Sequence, residues 1–254
     1  MKKFFLITIP SVFLLTFTLQ AQTDLFFSEY IEGSSNNKAI EIYNPTGSSV
    51  DLSNYTLGVI FNGGSDIESN LSLTGTLNAY TVFVICHTSA AVDIKNEADL
   101  EWSSLNFNGD DHVFLLKNGS SISGGATIID LIGTPLNSGN FDDPGSKFED
   151  TGSGNDTQNN TLIRNGLIQD GSTSGFGSDQ AKLGSEWTSY SQDTFSNLGR
   201  HDFAGAITIT GDAGWRLLSL PITSGDVSDV SDDSPVQGIT GGSNTGSSSN
   251  FYIY

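Results

Sequence analysis

Apolar residues in this chain almost never recur at the three-and-four spacing of a helix, and that most constrains its fold. They come in runs of four to seven, rich in Ile, Val, Phe, Tyr and Thr, separated by Gly, Asn, Ser and Asp. Ile40 and Ile42 alternate with Ala39, Glu41 and Tyr43, and Tyr55, Leu57, Val59 and Phe61 alternate with Thr56, Gly58 and Ile60. Leu71, Leu73 and Leu77 share a parity broken only by Gly75. A period of two puts each set on one face of a half-buried strand. Thr81-Val82-Phe83-Val84-Ile85 is apolar on both parities, which predicts a strand covered on both faces. His112-Val113-Phe114-Leu115-Leu116-Lys117 runs into Asn118-Gly119, a pair that tolerates positive φ, and residues 126–132 are the expected return strand. A helix of one or two turns is expected only around residues 92–100. Many short strands punctuated in this way describe a sandwich or a barrel.

Two shifts in composition divide the chain. Residues 136–180 are dominated by Gly, Ser, Asn and Asp, with only Leu162-Ile163-Arg164 and Leu167-Ile168 standing out. They are expected to form a long, mobile, irregular insertion with one strand in it. From residue 204 a second β module is expected to begin, carrying Ile207-Thr208-Ile209-Thr210 and Trp215-Arg216-Leu217-Leu218, and ending at Phe251-Tyr252-Ile253-Tyr254. An apolar strand left at a chain end exposes an open sheet edge, so this module is expected to be truncated.

The start has a different composition. Lys2 and Lys3 precede an apolar run from Phe4 to Leu15, interrupted by Pro10, and Ala21 stands before polar Gln22. That is the build of a secretory signal peptide over residues 1–21, too short for a membrane span. No later run approaches membrane length, so no transmembrane segment is expected after cleavage. The chain carries a formal charge of −19. Removing Lys2 and Lys3 from its 10 basic residues leaves 8 against 29 acidic ones, a formal charge of −21. Such a surface repels a phosphate backbone and disfavours nucleic acid as a partner. It favours cations or a basic partner, or serves only solubility. Cys86 is the single cysteine, so no intramolecular disulfide can form, and its apolar neighbours predict a buried thiol. About 230 residues after cleavage can bury a full core without such staples.

Catalysis needs a nucleophile, a base and an orienting group, or a metal with an open position. The chain has three histidines, His87, His112 and His201, each expected on the surface or in a turn. No H-E-x-x-H and no G-x-S-x-G occurs; Gly171-Ser172-Thr173-Ser174-Gly175 has Thr at the centre and no strand before it. Ser35-Asn36-Asn37-Lys38 fits S-x-x-K but precedes a strand rather than opening a helix. No catalytic residue and no cofactor is therefore assigned. Calcium takes several oxygen ligands from a flexible loop. Its candidates are Asp142, Asp143, Glu149 and Asp150, with Asn155-Asp156 nearby and a second group at Asp229, Asp232 and Asp233. None has the D-x-D-x-D-G spacing, and a solvated acidic loop is the plainer reading. Asp110-Asp111 reads as turn chemistry.

Ile40-Glu41-Ile42-Tyr43-Asn44-Pro45 and Val50-Asp51-Leu52-Ser53-Asn54-Tyr55-Thr56-Leu57 resemble the lamin tail domain, whose members pair a "(V/I)-E-(I/L)-x-N" strand with "V-D-L-S-x-(W/Y)-x-L". Asn108-Gly109-Asp110-Asp111-His112-Val113-Phe114-Leu115-Leu116, continued to Ile129-Asp130, is similar to the family's "G-D-x-V-x-L … G-x-x-(I/V)-D" hairpin. Trp187 and Asn197-Leu198-Gly199-Arg200 stand where the last strands of that family fall. The resemblance implies an all-β, immunoglobulin-like sandwich over residues 22–203, of the exported bacterial type. It implies a non-catalytic role, since that domain accompanies secreted hydrolases as an accessory. Physics accounts for the motif. Asn44-Pro45 ends a strand, Asp51 and Ser53 shape a turn, and Leu52, Tyr55 and Leu57 supply core.

Three functions remain open on the sequence. The first is a non-catalytic binding, adhesion or structural module at the cell exterior. Its partner would be a protein or a glycan, met at an exposed patch around Tyr30, Trp102 or Trp187. The second is the accessory region of a secreted hydrolase, of nuclease or phosphatase type, whose catalytic domain lies outside this chain. The third is a small enzyme in which His112 or His201 meets carboxylates in a pocket.

Overall fold

The computed structural model describes residues 24–202. The expected signal peptide and the second β module both lie outside the described residues, as do Asp229, Asp232 and Asp233. Fourteen strands form in chain order. They are β1 (Phe26–Glu32), β2 (Lys38–Tyr43), β3 (Val50–Asp51), β4 (Tyr55–Ile60), β5 (Ser69–Ser72), β6 (Thr76–Leu77) and β7 (Val82–Cys86), then β8 (Leu100–Glu101), β9 (His112–Lys117), β10 (Thr127–Ile132), β11 (Glu149–Asp150), β12 (Asn155–Asp156), β13 (Asn160–Arg164) and β14 (Trp187–Ser191). Helix α1 (Val92–Glu97) falls where one was expected; α2 (Ala181–Glu186) was not foreseen.

A six-stranded sheet in the order β14-β13-β1-β2-β7-β8 packs over a four-stranded sheet in the order β10-β9-β4-β5. Pairing is antiparallel except between β7 and β8. Leu25, Phe27, Tyr30, Ile40, Ile42, Ile85 and Leu162 meet Tyr55, Leu57, Val59, Val113, Leu115 and Ile132 in the core between the sheets. The β1–β2 register slips between Phe27 and Glu29, leaving Ser28 as the extra residue of a bulge. The slip explains a parity break: Phe27 and Tyr30, three apart, both face the core, while Glu29 turns outward beside Glu41.

The motif residues sit where the resemblance implies. Leu52, Tyr55 and Leu57 are core. Asp51 accepts the Ser53 amide at 2.9 Å and starts the short 3-10 turn before β4. Asn44, fully buried, donates from Nδ2 to the carbonyls of Ser48, Leu77 and Asn78.

Two expectations are corrected. The first concerns β2 and β4, read as half-buried, which are buried along their whole length. Each sheet has a second, outer layer. Ile94 of α1 and Leu198 cover Ile31, Ala39, Val84 and Cys86 on one side, and Phe141 covers Ile60, Phe114 and Leu116 on the other. The second concerns residues 136–180, expected to be loose around one strand. That strand exists, as β13, and pairs with β1 and β14. The rest is anchored by the buried rings of Phe141, Phe148 and Phe176, isolated among small polar residues. Gly and Ser neighbours hid them, because a single buried ring leaves no periodicity to read.

Candidate functional site

The residues that could carry chemistry or binding are largely consumed by the fold. His112, expected on the surface or in a turn at the start of its strand, opens β9 and is fully buried in a box of Phe114, Phe141 and Phe148, with Phe148 edge-on at 4.8 Å. Its Nε2 faces Thr134 Oγ1 at 3.4 Å, and burial pushes its pKa down to about 4. Gly133, at φ +131, lies against this ring so closely that a Cβ would collide with it. His201 packs beside Phe26 and Tyr43 on the outer face of the larger sheet, also with its pKa lowered to about 4 by burial. His87, buried beside the loop after β7, accepts the Ser89 amide on Nδ1. The surface reading of the three histidines is thereby corrected. His112 and His201 occupy different faces of the sandwich and do not converge.

Near Gly171-Ser172-Thr173-Ser174-Gly175 the structure supplies an unforeseen neighbour, since Lys182 Nζ lies 2.9 Å from Ser172 Oγ. The polarity is wrong for activating a nucleophile. The ammonium donates to the hydroxyl and lies 3.7 Å from Glu186, and the hydroxyl proton goes to the Gly175 carbonyl at 2.7 Å. The pair staples a loop. Ser35-Asn36-Asn37-Lys38 forms the turn between β1 and β2, where buried Lys38 pairs with Glu32 at 2.5 Å. Asp111, its pKa raised to about 6 by burial, accepts the amides of Asn62 and Asn108, as turn chemistry requires.

The calcium candidates are placed in two separate turns. Asp142 accepts from Asn137 Nδ2 and Asp143 from the Gly145 amide. Glu149 pairs with Lys147, and Asp150 caps the amides of Gly152 and Ser153. Among the described residues no three His, Cys, Asp or Glu side chains gather as a metal site would need. Tyr30 and Trp187, expected on an exposed patch, are core residues, and Trp102 is half-buried against the core. The aromatic content that suggested a binding patch was needed for packing.

Two buried polar clusters were invisible in the sequence. In one, Arg164 reaches Asp130 at 2.5 Å and Glu186 at 2.7 Å, with its guanidinium about 5 Å over the Trp187 ring. Asp130 also accepts the amides of Phe27, Leu131 and Ser172, joining the edge of one sheet to the other. In the other, Glu29 and Glu41 face each other across β1 and β2, both fully buried. The alternation around Glu41 puts its carboxylate on the outer face, and neither its burial there nor the bulge that brings Glu29 beside it has a local signature.

Among the described residues a shallow depression of about 280 Å³ lies on the smaller sheet, lined by Ser53, Asn54, Thr56, Ser72, Asn118 and Ser120. Hydroxyls and amides without a charge can bind a neutral polar surface but cannot form a nucleophile–base pair. Asn118 stands at φ 60 in the turn after β9, and its amide donates to the Asn54 carbonyl at 2.9 Å.

Two packed sheets with few helical turns and a core of motif residues define an all-β, immunoglobulin-like sandwich. Residues 18–131 match the family described as the Lamin Tail Domain, an immunoglobulin-like domain of a binding or structural kind. The match ends within β10, yet β13 and β14, beyond it, complete the larger sheet. No curated protein and no solved structure matches the chain.

Proposed function

We propose that this chain is a non-catalytic module of lamin-tail type that acts outside the cell, binding a protein or glycan or serving a structural role there. The observation that carries this reading is the use made of its polar groups. Histidines, acids and the serine–lysine pair are spent on turns, staples and core. The open polar surface at Ser53, Asn54, Ser72 and Ser120 offers hydrogen bonds and no reactive group. Export rests on the basic-then-apolar start of the sequence. The partner is drawn to neutral hydroxyl and amide chemistry at the depression, and the net negative charge of the chain disfavours nucleic acid.

The test is a binding screen of the secreted chain against glycans and cell-surface proteins, repeated with Ser53→Arg and Ser120→Trp, both at exposed positions. Binding that drops at least tenfold in these variants, with an unchanged melting midpoint, is expected. Retention of full affinity would remove the depression as the contact surface. Turnover of a phosphoester or glycan by the purified chain would overturn the non-catalytic reading.

A further inference from the structure

We propose that Glu29 and Glu41, neighbours across β1 and β2, form a buried carboxyl pair that keeps a proton while it latches residues 197–202 onto the outer face of the larger sheet, and that losing this proton loosens the segment. The pair is cross-strand, one carboxyl on β1 and one on β2, and both residues are fully buried. Neither is neutralised by a salt bridge. Ser28 Oγ donates to Glu41 Oε1 at 2.6 Å, and the Gly199 amide donates to Oε2 at 2.8 Å. Asn197 Nδ2 donates to Glu29 Oε2 at 3.1 Å, while Glu29 Oε1 is buried with no partner. The Arg200 backbone also hydrogen-bonds Glu41, so every donor but Ser28 belongs to the segment, which therefore caps the carboxyls.

Two like charges so placed cannot both persist cheaply, and a proton held on one relieves the repulsion. The surroundings agree. Burial raises the pKa of Glu29 to about 7, against smaller lowering by the Asn197 hydrogen bond and the Arg200 charge. Burial raises that of Glu41 to about 8, with the charge of Glu29 adding to it and the Ser28 and Gly199 hydrogen bonds opposing. The remaining groups facing the latch are few. From α1, Glu97 lies against Gly199, where a Cβ would collide with its carboxylate. The segment itself brings Arg200, His201 and Asp202. β13 brings Arg164, whose charge lowers the pKa of His201, and β2 brings Tyr43, in contact with the His201 ring. Apart from Arg200, none of these offsets a negative charge on the pair.

The sign follows from the protons bound. Undocked glutamates titrate near 4.5 and the docked pair near 7 to 8, so the docked state holds more protons between these values. Docking therefore weakens as pH rises through that interval and levels off above it. His201 acts oppositely, disfavouring docking as pH falls from 6.5 through 4, but supplies one group against two.

Hydrogen exchange of the Gly199 amide in the full chain tests this. Its protection factor is expected to fall between about pH 4.5 and 8 and to level off above, by up to about tenfold per pH unit for each proton released, while amides of the β4–β9 ladder keep theirs. In Glu29→Gln, which cannot ionise there, the fall should flatten. Protection that does not change with pH, or that falls equally in Glu29→Gln, would overturn the proposal. Should that variant not fold, carbon-detected titration of the native carboxyls decides the matter. Two coupled steps above about pH 6 support the latch, and separate titration of both glutamates near 4.5 overturns it.

Discussion

At the scale of single residues, the recurring acids of this domain are structural joints. Asp130 is the clearest, since its two oxygens serve three backbone amides from β1, β10 and the Ser172 loop, together with the Arg164 guanidinium. Removing it leaves a guanidinium that is 2% exposed without its nearest counter-charge. Breaking a buried pair from one side costs about 3–5 kcal/mol. Asp130→Ala is therefore expected to lower unfolding stability by that order, measured as a fall in the denaturant midpoint at unchanged slope. An Asp130→Leu, Arg164→Met double variant should recover part of the loss, because no unpaired charge remains. A single variant within about 0.5 kcal/mol of the native chain would show that the cluster is ornamental.

At the scale of elements, the stretch 136–180 shows where local pattern fails. Composition marks it as loop, and its one apolar run is found as β13. Its other anchors are lone aromatics whose immediate neighbours are glycines or polar and charged residues. Such a residue shows no period of two or of 3.6, so only its destination reveals its role. Phe148 is 1% exposed and packs on His112 and Phe176. Phe148→Ala is expected to cost about 3–5 kcal/mol, the range for a buried aromatic truncated to Ala. An unanchored stretch would lose less than about 0.5 kcal/mol on the same change. Thermal or urea unfolding of the purified chain separates the two. The outer layers teach the same lesson for β2 and β4. Alternation identifies the face toward the core, but helix, loop and closing segment decide whether the other face meets water.

At the scale of the whole molecule, a net charge of −19 makes the folded chain repel itself. Ion pairs among the described residues are few, and several, such as Lys147 with Glu149 and Asp156, are only partly buried. Raising ionic strength from about 0.01 to 0.15 M shortens the screening length from about 30 to 8 Å. The melting midpoint should therefore rise with salt, since repulsion outweighs the pairs that salt also screens. A midpoint that falls on adding salt would show that attractive pairs dominate.

What the sequence determined alone was local: strands from period-two runs, turns from Asn, Asp and Gly, the core role of Leu52, Tyr55 and Leu57, and the family motif that groups them. These features depend on a few adjacent residues and on backbone preferences, so they can be read in one dimension. Tertiary structure decided which carboxylates are buried, which aromatics are core instead of surface, and where a polar depression stays open. Those outcomes turn on residues far apart in the chain, such as Glu41 and Gly199 or Asp130 and Arg164. Burial and pairing energies act through space, and the folded chain alone brings such partners within reach.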